Sequence, residues 1–163
     1  MRLIKPLLLI TLTFWLTACG FQLRGQYKFD FDAIKLAGME KSDVYRIMDL
    51  QLEINGLKVN EGVKAPLRLN LIREKRDRSV VTFSASGRAL EVRLTYDLQY
   101  SVTDANGDYL IATTDLTQRR DLTYNDNQLL SSENEESNLY QEMQQDMARQ
   151  IVTRLANLKV ASQ

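Results

Sequence analysis

The sequence contains no histidine and only one cysteine, Cys19. The absence of histidine removes the commonest general base of enzymes and the commonest metal ligand of proteins. A single cysteine also excludes a disulfide bond within the chain. Basic and acidic residues both number 21, and this balance argues against general nucleic-acid binding. No pair of carboxylates is singled out by its setting, so we expect no enzymatic activity, and a carboxylate hydrolase remains only a distant alternative.

The composition is that of a globular protein, with 44% hydrophobic and 26% charged residues in 163. A chain of this length forms one ordinary domain with a sufficient core. We find no internal repeat and no low-complexity segment. We therefore predict a single domain over residues 29–160.

The N-terminal segment has the layout of a secretory signal, with Arg2 and Lys5 followed by a short apolar run and then Leu16–Cys19. The apolar run is shorter than the ~20 residues that a membrane-spanning helix needs. Its end resembles the lipobox of bacterial lipoproteins. That resemblance implies cleavage after Ala18, a thioether-linked diacylglycerol on Cys19 and a further acyl chain, typically palmitate, on the new amino group. The alternative is a plain signal peptide with a free cysteine nearby.

This interpretation divides the chain into a leader, 1–18, a lipidated segment, 19–28, and the domain. The acyl chains would hold the mature protein on a bilayer, since each buried methylene contributes about 0.8 kcal/mol. Gly20 follows the cysteine where some lipoproteins have aspartate, and this resembles an outer-membrane destination. We predict a location on the periplasmic side of the outer membrane.

The first half of the domain alternates strand and helix signals. Phe29–Leu36 has the two-residue period of a strand. Residues 43–55 have helical spacing, with Ser42 as the N-cap and Asn55–Gly56 as the stop. From Leu67 the period returns to two, which predicts a strand with one apolar face.

The second half predicts a long hairpin followed by a long helix. Seven apolar residues alternate with seven polar ones from Leu90 to Thr103, and an Asn-Gly turn within Asp104–Asp108 leads to a return strand. On that return strand, Tyr109–Leu122, we expect one apolar face formed by Leu110, Ala112 and Leu116. The final segment, about 132–158, has an apolar stripe at helical spacing.

We expect the final helix to begin with a capping box made by Ser132 and Glu135. Its stripe is formed by Leu139, Met143, Met147, Ala148, Ile151, Val152, Leu155 and Leu158. Such a stripe is more often core than a cofactor site. The predicted fold class is α+β, with two helices packed on one face of a mostly antiparallel four-stranded sheet.

The most distinctive charges are cations near the predicted strand ends: Arg73, Lys75, Arg76, Arg78, Arg88, Arg119 and Arg120. The topology predicts that they gather at one end of the sheet, around a 76–88 connection. Arginine forks bind phosphate oxygens well, so this cluster is a candidate anion site. The alternative is a solvated strand end, neutralised by Glu133, Glu135 and Glu136.

The segment Cys19–Gly25, which reads CGFQLRG, resembles the mature N-termini of the LptE family of lipopolysaccharide-assembly lipoproteins. The predicted order of elements also fits that family, so the resemblance covers essentially the whole mature chain. It implies a plug inside the β-barrel of a partner, LptD, and a part in lipopolysaccharide transport, with no cofactor beyond the lipids on Cys19. Lipopolysaccharide is a phosphorylated ligand, and the resemblance directs attention to Arg73, Lys75, Arg76, Arg78 and Arg88.

The sequence departs from the family pattern at one point. The resemblance implies a basic residue near the start of the second helix, but Asp121–Asp146 contains neither lysine nor arginine. The second functional hypothesis is an outer-membrane lipoprotein of the same layout that binds a periplasmic protein or small ligand without any barrel.

Overall fold

A computed structural model of the chain describes residues 27–60, 65–124 and 129–159, without the side chains of residues 129–131. The predicted leader, 1–18, the predicted lipidation at Cys19 and the predicted tail, 161–163, lie outside the described residues. Within the described ranges, no helix combines the length and apolar character needed to cross a bilayer.

The chain forms two helices and five strands. They are β1 (Ala33–Ala37), α1 (Asp43–Ile54), β2 (Lys58–Val59), β3 (Leu67–Phe83), β4 (Ala89–Asp104), β5 (Tyr109–Thr123) and α2 (Leu129–Ala156). The strands make one sheet in the order β2-β1-β3-β4-β5. We call the end of the sheet that holds Leu67 and Asp104 the lower end, and the end that holds the β3–β4 connection the upper end.

The predicted α+β class with two helices is confirmed, but the prediction of four mostly antiparallel strands is wrong. The sheet has five strands and is mixed, because β1 runs parallel to both β2 and β3. The other two pairings, β3–β4 and β4–β5, are antiparallel. The missed strand, β2, has only two residues, which is too short for any alternation to be read from the sequence.

The ends of α1 lie close to where the sequence predicts them. The Ser42 hydroxyl accepts a hydrogen bond from the backbone N–H of Tyr45 at 3.2 Å, which satisfies one of the free donors at the helix start. At the other end, Asn55 caps the helix, and Gly56 follows with a φ of +88°. Glycine adopts this left-handed conformation without a side-chain clash.

The core lies between the two helices and one face of the sheet. Every even-numbered residue from Val92 to Val102 on β4 is buried, which confirms the alternation predicted for this strand, although Leu90 is exposed. The helices contribute the buried residues Val44, Met48, Leu52, Met143, Met147, Ala148, Ile151, Val152 and Leu155. The predicted stripe of α2 is therefore core. We call this face of the sheet the helix side, and the opposite face the open face.

Two expectations about local structure are wrong. Since α2 begins at Leu129, Ser132 lies inside the helix and is buried rather than serving as its N-cap. On β5, the register against β4 shifts twice near the start of the strand. These irregularities leave Leu110 and Ala112 exposed, while Leu116 is buried as predicted.

A β-bulge at Ile72 divides β3 into two parts with opposite patterns. Leu71 pairs with Tyr100 and Arg73 pairs with Gln99, so Ile72 is an extra residue between them. Below the bulge, the odd-numbered residues face the helices. Above it, the even-numbered residues Glu74, Arg76, Arg78 and Val80 lie opposite the even-numbered residues of β4 and so face the helices instead.

Candidate functional site

The predicted cations do not gather at one end of the sheet. Instead of a 76–88 connection, β3 continues to Phe83, and the turn covers only residues 84–88. The cations therefore lie along the middle and upper parts of the strands, divided between the two faces. Arg76, Arg78 and Arg120 are on the helix side, Arg73, Lys75 and Arg119 are on the open face, and Arg88 lies at the β3–β4 connection.

Arg76 connects both helices to the sheet. Its guanidinium carbon lies 5.9 Å from the ring centroid of Tyr96 and 5.4 Å from that of Tyr140. The same group forms ion pairs with Asp43 at 3.5 Å and with Glu74 at 3.7 Å. Because Asp43 begins α1 and Tyr140 belongs to α2, this one side chain bridges β3 to both helices.

Two further arginines on the helix side also bind α2 or its flanking residues. Arg78 donates from Nε to the Glu136 carboxylate at 3.3 Å, and its guanidinium lies 5.2 Å from the ring centroid of Tyr124. Arg120 on β5 forms an ion pair with Asp146 at 2.9 Å. The expectation that Glu136 neutralises part of the cation cluster is thus confirmed, and these arginines have a structural role.

On the open face, charged side chains pair across neighbouring strands. Arg93 donates from Nε and Nη2 to the two carboxylate oxygens of Asp121, at 2.8 and 2.9 Å. This is the bidentate geometry in which guanidinium and carboxylate bind most strongly. The hydrogen bond from Arg93 is the main cause that lowers the pKa of the Asp121 carboxyl.

A second set of contacts orders the middle of the open face. Asp115 accepts a hydrogen bond from the Gln99 amide at 3.0 Å and lies 3.8 Å from the Arg73 guanidinium. Thr117 donates its hydroxyl to Asp97 at 2.6 Å. The face is thus covered with hydrogen-bonded polar side chains and holds no large apolar patch along β4.

Within the described part of the chain, Lys75 and Arg119 form no ion pair. They lie on the open face opposite Asp97 and Thr95 of β4, and both are exposed. Of the five residues predicted to bind lipopolysaccharide, only Arg73 and Lys75 are on this face, while Arg76 and Arg78 are held against the helices. Arg88 is exposed at the upper end of the sheet.

The upper end also carries apolar residues that sequence reasoning missed. Phe83 is 62% exposed, and Val80, Val81 and Leu90 are exposed beside it. Val81 and Leu90 lie at irregularities in the β3–β4 pairing, which interrupt the alternation. The sequence indicates this exposure only weakly. Apolar residues at every second position of a strand normally form one buried face, and Leu90 continues such a pattern.

The described residues offer no site for metal chemistry. No group of three or more histidine, cysteine, aspartate or glutamate side chains lies close enough together there to bind a metal ion. The side chains that do cluster are arginines, carboxylates, tyrosines and amides, and they can bind a charged or hydrogen-bonding ligand by contact alone.

Comparison with known proteins finds one matching family profile. The profile described as "LptE: Lipopolysaccharide-assembly" matches residues 32–155. No curated protein matches the sequence at the level that we accept.

Solved structures with similar folds include three lipoproteins. Uncharacterized lipoprotein B from Nitrosomonas europaea is 26% identical with a TM-score of 0.72, and the alignment covers 84% of this chain and 90% of that one. Rare lipoprotein B from Shewanella oneidensis is 21% identical with a TM-score of 0.67, over 76% and 93%. A minor lipoprotein from Acinetobacter baumannii is 18% identical with a TM-score of 0.64, over 79% and 93%.

The family profile spans both helices up to Leu155 and all five strands. Its match therefore covers the helix side, the open face and the upper hairpin together. The chain belongs to the LptE family of lipopolysaccharide-assembly proteins.

Proposed function

We propose that this protein is an outer-membrane lipoprotein that plugs the β-barrel of a partner, LptD, supports its assembly and takes part in lipopolysaccharide transport to the outer leaflet. The observation that carries the proposal is the open face of the sheet in a chain of this family. A plug inside a barrel meets a polar lumen, and this face presents hydrogen-bonded polar side chains along β4 and β5. No covalent chemistry is part of the proposed role.

The proposed anchor is the lipidated Cys19, exposed after removal of residues 1–18 and placed on the periplasmic side. Support comes from the lipobox-like sequence and from the three similar structures, whose names describe lipoproteins. The first described residue, Tyr27, is held to the domain by a hydrogen bond with Thr153 near the end of α2, at 3.0 Å. The anchor would thus join the domain at the lower end of the sheet.

For lipopolysaccharide, we propose that the phosphate groups contact the cations of the open face and the upper end, which are Arg73, Lys75, Arg119 and Arg88. Arg76 and Arg78 are weaker candidates than the sequence indicated, because their guanidinium groups are bound to carboxylates and tyrosine rings. Lys75 is a compact point charge and Arg119 offers a fork, so together they match a group with several phosphate oxygens.

The first test of the proposed function is a copurification experiment. The chain carries a tag after Gln163, the outer membrane is solubilised in mild detergent, and the proteins recovered are identified and quantified. We expect a large β-barrel protein at equal stoichiometry. Recovery of the lipoprotein alone would contradict the plug and favour the barrel-independent binding module.

The second test concerns the ligand. The double variant Lys75→Asp with Arg119→Asp should weaken lipopolysaccharide binding about tenfold or more while the barrel still copurifies, since each lost phosphate contact is charge-assisted. Binding is measured with immobilised lipopolysaccharide at two salt concentrations. The double variant Lys41→Asp with Lys159→Asp changes the same net charge outside β3–β5 and serves as the control. Equal affinity for all three proteins would refute the open-face site.

A further inference from the structure

A second cationic surface lies on the sheet, at the lower end and far from the residues discussed so far. An open groove of about 1480 Å³ is present there. Three cations line it, namely Lys58 on β2, Lys35 on β1 and Arg68 on β3. We call this feature the lower groove.

The strand register brings the three cations together. Lys35 is the direct neighbour of Arg68 in the β1–β3 pairing, and Lys58 is the neighbour of Ala33 in the β1–β2 pairing. Ile34 and Leu36 are buried on the helix side, so Lys35 and its cross-strand neighbours lie on the open face. Ala33 and Ala37, which flank Lys35 on β1, also line the groove.

The groove is lined by more cations than acidic residues. Within the described ranges, none of its three cations forms an ion pair, and all three are exposed. Two acidic residues also line it, Glu40 and Asp104. Asp104 is already engaged, because its Oδ1 accepts backbone hydrogen bonds from Asn106 at 2.8 Å and Asp108 at 2.9 Å.

The lower groove is also at the end of the domain where the proposed anchor is attached. Seven residues lie between Cys19 and Tyr27, and the eight residue-to-residue steps span at most about 29 Å when fully extended. The upper end is farther away, because the 16 residues of β4 cover roughly 50 Å. An anchored domain therefore keeps the lower groove near the bilayer surface.

We infer that the lower groove binds the phosphate groups of anionic phospholipids in the leaflet that holds the anchor. The inference rests on the proposed lipidation at Cys19. Lysine and arginine near a membrane are attracted to anionic headgroups. Arg68 supplies a fork for phosphate oxygens, and Lys35 and Lys58 supply two point charges beside it. Such contacts orient the domain, because the anchor alone fixes only one point.

The test uses the full chain, expressed with its own leader, purified as the lipidated protein and inserted into vesicles. A photoreactive amino acid replaces Ala105, which is exposed and lines the groove without contributing charge. We expect the yield of lipid adduct, measured by mass spectrometry, to be several-fold higher in phosphatidylglycerol–phosphatidylcholine vesicles than in phosphatidylcholine alone. The double variant Lys35→Glu with Arg68→Glu should remove that increase.

The matched control is Lys41→Glu with Lys159→Glu, which reverses two exposed cations that do not line the groove. This variant should keep the full adduct yield, and equal loss in both variants would refute a local site. Vesicle flotation distinguishes failure of the proposed lipid site in the groove from failure of the proposed anchor. A chain that floats without forming adduct refutes the groove alone, whereas a chain that does not float refutes the anchor and the inference with it. The copurification experiment is repeated with the Lys35→Glu, Arg68→Glu variant. If this variant no longer recovers the barrel while its lipid adduct is unchanged, the groove is a protein contact and the inference is overturned.

Discussion

The two faces of the β3–β4–β5 sheet use similar charged residues in different settings. On the helix side, Arg76 lies against two tyrosine rings and forms ion pairs with Asp43 and Glu74. On the open face, Arg93 pairs with Asp121 of the neighbouring strand. The first arrangement joins layers of the fold, whereas the second only covers a surface. The comparison shows that the role of an arginine here depends on the face it occupies.

We expect the largest difference in stability between the two faces when two uncharged neighbours on β4 are each replaced by alanine. Leu94 is fully buried on the helix side, and Leu94→Ala should lower the free energy of unfolding by about 2–5 kcal/mol because it leaves a cavity. Thr95 is the next residue and lies on the open face, so Thr95→Ala should change stability by less than about 0.5 kcal/mol. Urea unfolding of both variants measures the difference, and similar losses would mean that the open face is also packed.

The second comparison uses neighbouring cations on β3. Arg76→Ala should cost about 1–3 kcal/mol, since it removes two cation–π contacts and two ion pairs. Lys75→Ala should cost less than about 0.5 kcal/mol, because the lysine forms no ion pair in the described part of the chain. Thermal unfolding of the two variants tests this. Equal melting temperatures would contradict the bridging role of Arg76.

Alkaline pH should weaken the helix side through Tyr96. Burial raises the pKa of its hydroxyl well above the usual range, so the folded protein keeps it protonated. In the unfolded chain it ionises near pH 10, and stability is full below that pH and falls as pH rises above it, by at most about 1.4 kcal/mol per pH unit. Urea midpoints between about pH 9 and pH 11 should fall less steeply in Tyr96→Phe. Identical slopes would exclude this residue as the cause.

The smallest effect is expected for the Arg93–Asp121 pair on the open face. Both groups are exposed to solvent, where salt screens charge–charge attraction. A double-mutant cycle with Arg93→Ala and Asp121→Ala should give a weak coupling at low salt that fades at high salt. A coupling that persists in high salt would show that the pair is protected from solvent, as expected only when a partner covers the face.

Much of the fold could be predicted from periodicity. The alternation of β4, the stripe of α2 and the caps of α1 are local patterns, and each is set by residues within one element. The missed features are not local. β2 is defined only by its pairing with β1, and the bulges in β5 appear only in its register against β4.

The candidate site was harder to predict for the same reason. Residue types along β3 correctly indicated a concentration of cations, but they did not indicate which cations share a face. That depends on Ile72, where no glycine or proline marks the irregularity. The lower groove was missed because Lys35, Lys58 and Arg68 are far apart in sequence and meet only through the parallel pairing of β1 with its neighbours.

The face that each residue of β3 beyond Ile72 occupies depends on how the strand accommodates this extra residue. Deleting it would remove the bulge and leave every later residue on its present face. If Ile72 were instead kept in a strand without a bulge, Arg76 and Arg78 would turn outward and Lys75 inward. In that second case no side chain would change its chemistry, yet the contacts that join the helices to the sheet would be lost. In sequence alignments of this family, a gap at this position is therefore compatible with equivalent residues beyond it, because a strand without the extra residue presents the same faces as a strand that bulges it out.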